Sequence, residues 1–248
     1  MRVLLEGKNL YKSFRAGGEQ TDALIDVNYY LREGEVLGVV GESGSGKSTL
    51  LRVISGLERA DRGELLHEGA AYDGKGPAQT GAFLQMLFQD AQSSFDPRMT
   101  MERSILEAGR GKKDRQELTE LIKMVGLEED LLMRKPGKLS GGQCQRMSIV
   151  RAFYSGAQIL LCDEMTSALD VSSQAQVMEI MRKLKKEGKL SAVFVSHDIA
   201  LVSTICDRIM VMKDGRCVEQ SETAEVIRTP KDSYTKQLIE SAGKQSIG

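Results

Sequence analysis

Gly41-Glu42-Ser43-Gly44-Ser45-Gly46-Lys47-Ser48 fits the pattern G-x-x-x-x-G-K-[ST]. That pattern commits the chain around it to one local geometry: a strand leading in, a curled loop, and a helix leading out. The glycines let the backbone turn until several N–H groups point at one place, and the helix adds the positive end of its dipole. Glu35-Val36-Leu37-Gly38-Val39-Val40 is a short apolar run before the loop, and Lys47 to Leu57 is helix-like after it. We read Gly41 to Thr49 as a segment that binds a nucleoside triphosphate. Lys47 can reach the β- and γ-phosphates, and the Ser48 hydroxyl can ligate Mg2+.

Two further apolar runs, Ile159 to Cys162 and Ala192-Val193-Phe194-Val195, lack polar alternation. Such runs suit central parallel strands covered on both faces. Between them, Val177, Ile180, Met181 and Leu184 recur at helical spacing within Ser173 to Lys186. This β–α–β order predicts an α/β fold with a mainly parallel central sheet. Ahead of the loop, Val3 to Glu6 and Ala23 to Tyr30 read as short strands with a turn at Gly17-Gly18, an N-terminal antiparallel β subdomain. Residues 92–155 carry helical patterns instead, for example Leu118, Leu121, Ile122 and Val125. They read as a helical subdomain inserted between 1–91 and 156–248 of one domain. Arg208 to Met212 predicts another strand, Lys213 to Arg216 a turn, and Tyr234 to Ser241 a final helix.

The bulk numbers narrow the partners. With 34 basic and 35 acidic residues, net charge is −1, so overall charge gives no reason to expect nucleic acid or an anionic membrane. No apolar run approaches the ~20 residues that cross a bilayer. Met1-Arg2-Val3-Leu4-Leu5-Glu6 carries acid at once and has no signal-peptide core. The expectation is a cytoplasmic chain that reaches a membrane through another protein. Cys144, Cys162, Cys206 and Cys217 are scattered without metal-site spacing, and His67 has the context of a surface residue.

Asp163 ends a buried apolar strand. A carboxylate there can hold Mg2+ through water, and the adjacent Glu164 can act as general base on an attacking water.

Leu139-Ser140-Gly141-Gly142-Gln143 lies between the phosphate loop and Asp163. It resembles the LSGGQ signature of ABC ATPases, and the chain resembles an ABC-type P-loop NTPase over nearly its whole length. The resemblance implies a RecA-like core and a head-to-tail dimer, homo- or heteromeric, with two ATP molecules at its interface. Each ATP would touch the phosphate loop of one subunit and Ser140, Gly141, Gly142 and Gln143 of the other. Gly141 and Gly142 would leave no side chain between a helix N-terminus and a γ-phosphate. It further implies that Gln89 touches Mg2+ and leads toward the membrane partner, that Asp170 crosses the interface, and that His197 contacts the γ-phosphate. Phe14 is our choice for the aromatic that stacks on adenine, with Tyr11 second. Two positions depart from the family pattern: Met165 stands where proline is usual, and Cys144 where a longer polar residue is usual.

Gln89-Asp90-Ala91-Gln92-Ser93-Ser94-Phe95-Asp96-Pro97-Arg98-Met99-Thr100 is similar to the corresponding segment of oligopeptide, dipeptide and nickel importer ATPases. That resemblance implies integral membrane permeases as partners, an extracytoplasmic solute-binding protein acting indirectly, and a place on the cytoplasmic face of the cell membrane. The solute would be a peptide, nickel or a metal chelate. A phosphonate-system ATPase and a non-transport ATPase of the iron–sulfur scaffold type are the alternatives.

Overall fold

The first two strands run much further than their apolar patches. In the computed structural model, which describes residues 2–72, 80–111 and 114–245, β1 is Val3–Ala16 and β2 is Glu19–Arg32. They pair antiparallel around Gly17 and Gly18, both at positive φ. Register shifts interrupt the pairing between Gly7 and Leu10 and again before Ser13. Each shift displaces the inside–outside alternation, so the period of two fades from the sequence while the ladder continues. Asn9 and Asp26 sit at this irregularity with φ of 48° and 55°, joined by a 2.8 Å hydrogen bond from Asn9 Nδ2 to Asp26 Oδ1.

β3 (Val36–Val40) then enters a second sheet, and α1 (Lys47–Ser55) follows the loop. The helix stops before the expected Leu57, because Gly56 takes the left-handed conformation and its N–H returns to the Val53 carbonyl. β4 (Arg62–His67) and β5 (Ala70–Tyr72) go back to the first sheet, in the order β2-β1-β4-β5. β6 (Leu84–Leu87) leads to α2 (Met101–Ala108), α3 (Arg115–Met124) and α4 (Gly141–Tyr154). β7 (Ile159–Asp163), α5 (Val171–Lys186), β8 (Ala192–Ser196), α6 (Ile199–Ser203), β9 (Arg208–Lys213) and β10 (Arg216–Glu222) follow. The chain continues through α7 (Thr223–Arg228) and α8 (Ser233–Gln245). The second sheet has the order β10-β9-β3-β8-β7-β6, parallel except for β10.

Two apolar cores lie on opposite faces of that second sheet. Ile159, Leu161, Val193, Val195, Leu37 and Val39 join α1 and the first sheet on one side. Their strand neighbours Leu160, Cys162, Ala192, Phe194, Val36 and Val40 face the helices on the other. Double coverage is why these strands carry no polar alternation. Cys144, Cys162 and Cys206 are buried and Cys217 is half-buried, all as free thiols. Burial pushes Cys144 and Cys217 up to about 11, and Cys162 and Cys206 further. His67 is not the surface residue its context suggested. It is half-buried, stacked on Phe83 at 3.7 Å between ring centroids.

An ion pair joins the two sheets. Glu35 and Arg208 are each almost fully buried, with Arg208 Nη1 2.9 Å from Glu35 Oε1. The guanidinium also stacks over the Tyr30 ring at 3.9 Å and donates to the Tyr30 carbonyl, while Glu35 Oε2 accepts the Arg32 N–H. Removing one partner of such a pair strands a buried charge. Arg208→Leu should cost about 3–5 kcal/mol in urea unfolding. Adding Glu35→Gln to that variant should restore part of the loss, because the stranded charge is gone.

Candidate active site

Val40 of β3 pairs with Ser196 of β8 and with Val211 of β9, Asp163 of β7 pairs with Val195, and Leu87 of β6 pairs with Cys162. Because these strands are parallel, their carboxyl ends share one edge of the sheet. The chain leaves β3 there into Gly41, β7 into Glu164, β8 into His197, and β6 into Phe88 and Gln89. Ligands of open parallel sheets bind at this edge.

The phosphate loop is backed closely by protein. A Cβ on Gly41 would lie 2.2 Å from the Met212 carbonyl oxygen, and one on Gly46 2.3 Å from that of Ala23. Gly46 at φ 102° begins α1 without any side-chain cap, leaving the first N–H groups of the helix to the loop side. Lys47 Nζ donates to the Gly41 and Glu42 carbonyls at 2.8 and 2.7 Å. Burial lowers the pKa of this ammonium, and the nearby Glu164, Asp163 and Glu42 charges oppose the shift.

Ser48 Oγ donates to Asp163 Oδ1 at 3.1 Å. The Asp163 carboxyl is pushed up, first by burial and then by the neighbouring Glu164 charge, against the Ser48 hydrogen bond and the charges of Arg52 and Lys47. A hydroxyl and a carboxylate side by side form a hard oxygen set that suits Mg2+, which would take its remaining ligands from phosphate and water. Glu164 stands at φ 47°, a conformation costly for a residue with a Cβ. Its N–H donates to the Val195 carbonyl, and its own carbonyl accepts from Ser167 N and Oγ. Its carboxylate Oε1 is 3.6 Å from Nδ1 of the exposed His197. Met165, in the usual proline position, is fully buried in the helix-side core and anchors this turn from below.

Other expected site residues lie elsewhere. Ser140 caps α4 in a closed capping box, accepting the Gln143 N–H while Gln143 Oε1 accepts the Ser140 N–H. A Cβ on Gly142 would lie 2.6 Å from Ser173 Oγ, and one on Gly141 would meet Leu169 at 3.5 Å. The start of α4 therefore packs on the start of α5 rather than on the loop of the same chain. Asp170 caps α5 through the Ser173 N–H and hydroxyl, and these hydrogen bonds lower its pKa. Gln89 is exposed just beyond β6. Phe14 lies 5.1 Å from Lys12 Nζ, whereas Tyr11 lines a cleft of about 610 Å3 with Arg15, Arg62 and Arg216.

Two contacts have no local signal in the sequence. The Tyr234 hydroxyl accepts the Glu42 N–H at 2.9 Å across 192 positions. Arg151 of α4 donates to the Ser94 carbonyl and hydroxyl and stacks on Phe95 at 4.1 Å, tying α4 to the segment after Gln89.

Residues 24–167 match the family model described as "ABC transporter". The oligopeptide transport ATP-binding protein OppF of Escherichia coli K12 is 43% identical over 249 residues, covering 96% of this chain and 75% of that protein. OppF of Haemophilus influenzae is 40% identical over 242 residues, covering 94% and 73%. Among solved structures, the ATP-binding cassette MJ0796, a dimer in a post-hydrolysis state bound to ADP and Pi, aligns with a TM-score of 0.76 at 31% identity, covering 89% of this chain and 99% of that one. The chain belongs to the ABC transporter family and is one of its ATP-hydrolysing subunits.

Proposed function

We propose that this chain is the ATPase of a peptide importer, with the carboxyl-edge cluster of Lys47, Ser48, Asp163, Glu164 and His197 as its hydrolytic centre. The observation that carries the centre is the register that brings those five residues to one edge. Peptide is favoured over nickel, metal chelate or phosphonate because the relatives named above are oligopeptide transport proteins at 40–43% identity. Their transport role also weighs against scaffold assembly.

In this reading, Gly41 to Thr49 hold the phosphates, with Lys47 on the β- and γ-groups. Ser48, Asp163 and Gln89 would hold Mg2+, which neutralises phosphate charge when bound. Glu164 accepts the proton of the attacking water, and His197, whose Nδ1 lies 3.6 Å from Glu164 Oε1, contacts the γ-phosphate. Phe14 is kept as the adenine platform. Ser140 to Gln143 and Asp170 serve the ATP of a second subunit, which fits the exposure of Ser140 and Gly141 and the dimeric state of MJ0796. Residues 92–155 act as the helical subdomain against a core of 1–91 and 156–248.

Among the described residues no helix is long and apolar enough to cross a membrane. Coupling then needs permeases at the cytoplasmic face. A cavity of about 200 Å3 beside Gln89, lined by Leu57, Met86, Phe88 and Arg151, is the surface we assign to them. Leu57 and Phe88 are both exposed there. A solute-binding protein outside the cell would complete the system.

Glu164→Gln should lower turnover about 10²- to 10⁴-fold while retaining ATP and stabilising the dimer, read by phosphate release, nucleotide retention and light scattering. Wild-type turnover in that variant would remove Glu164 as the base. Lys47→Ala should abolish ATP binding in equilibrium dialysis. The raised Asp163 pKa means that folding disfavours its ionised form. That cost is present above the folded-state pKa and disappears as pH falls through it. Asp163→Asn should therefore raise the thermal midpoint at about pH 8, with the gain shrinking toward roughly pH 4, and should abolish turnover.

A further inference from the structure

The Gly41–Glu42 peptide group is bonded at both ends. Its carbonyl accepts from Lys47 Nζ at 2.8 Å, and its N–H donates to the Tyr234 hydroxyl at 2.9 Å. One peptide unit thus separates the phosphate-reaching lysine from a phenol on α8. Hydrogen bonds in series through an amide polarise one another, and rotating the amide plane breaks both.

Tyr234 is built in from every side. It is 5% exposed, and Lys213 Nζ sits 4.9 Å from the ring centroid. Its N–H donates to Asp232 Oδ1, and the buried Glu219 accepts the Lys231 and Asp232 N–H groups just ahead of it. Further along α8, Leu238 and Ile239 pack on the helix-side core. The β9–β10 turn completes the frame, since the Gly215 N–H donates to the Ser45 carbonyl and Met212 backs Gly41. Gly41 has φ 153°, a conformation open to glycine, and the Glu42 N–H in its following peptide plane is held by the Tyr234 hydroxyl.

We propose that Tyr234 is a positioning residue: through the Gly41–Glu42 peptide it fixes where Lys47 lies, and so couples ATP affinity to the docking of α8. This rests on the assignment of Lys47 to the phosphates. Coupling of this kind is reciprocal, so bound nucleotide should in turn hold α8 down.

Tyr234→Phe removes one oxygen and keeps the packing. Its affinity for Mg-ATP should fall about two- to tenfold, the effect of one net hydrogen bond. KM should rise by the same factor, with kcat at saturating ATP within about twofold of wild type by the same argument. A lowered kcat with unchanged affinity, or no change in either, would overturn the proposal. Hydrogen exchange on the wild-type chain tests the reciprocal arm without any variant. Amides of residues 234–242 should exchange more slowly with Mg-ATP than without nucleotide, and equal rates would sink the coupling. Lys47→Ala separates the two failures. If it binds ATP like wild type, the phosphate-loop assignment falls. If it loses ATP while Tyr234→Phe keeps full affinity, only the role of Tyr234 falls.

Discussion

Five parallel strands in register decide which side chains meet at the carboxyl edge of the sheet. Val40 lies opposite Ser196 and Val211, and Asp163 opposite Val195. A slip of one residue in β7 would exchange its two faces, sending Leu160 and Cys162 to the wrong core and lifting Asp163 away from Ser48. Both faces of the sheet are packed, so any slip exposes or overcrowds a core on each side. The carboxyl edge inherits its precision from that burial. The left-handed Glu164 is tolerated for the same reason, since Val195 and Ser167 fix the peptides on either side of it.

α4 carries a second kind of constraint. Its first turn meets α5 through Gly142 and Ser173, and its last turns reach Ser94 and Phe95 through Arg151. The segment after Gln89 is therefore tied to the same helix whose first turn carries Gly141 and Gly142. Arg146 adds a third attachment, donating to the carbonyls of Val125 and Gly126 at the end of α3. Cys144, the departure next to the signature, is buried with its thiol against the Pro136 carbonyl. A long polar side chain could not lie there without displacing that contact.

What the sequence makes legible is what short-range rules govern. The phosphate loop, β3, β7, β8, α5 and the helical stretch are visible because glycine spacing and continuous apolar runs report local geometry. β4 and β10 are not: Arg62-Gly63-Glu64 and Arg216-Cys217-Val218-Glu219 are polar or mixed, and their strands exist because a neighbour supplies the ladder. The length of β1 is hidden by its register shifts, and the stacking of His67 on Phe83 by the absence of any local pattern. Within the site, Lys47, Ser48, Asp163 and Glu164 follow from chemistry at strand ends. The Tyr234–Glu42 and Glu35–Arg208 contacts span 192 and 173 positions, and no periodicity encodes partners that far apart.

The four thiols give the molecule its own clocks. A fully buried thiol reacts with an alkylating reagent only when its surroundings open, and the half-buried Cys217 reacts sooner. Cys144 sits behind the signature on α4, Cys162 in the middle of the sheet, Cys206 beside Gly38 on the helix side of β3, and Cys217 on the edge strand β10. Each reports a different region without a label being added. The order in which they are alkylated under native conditions would rank the opening free energies of edge, helices and central strands in a single time course.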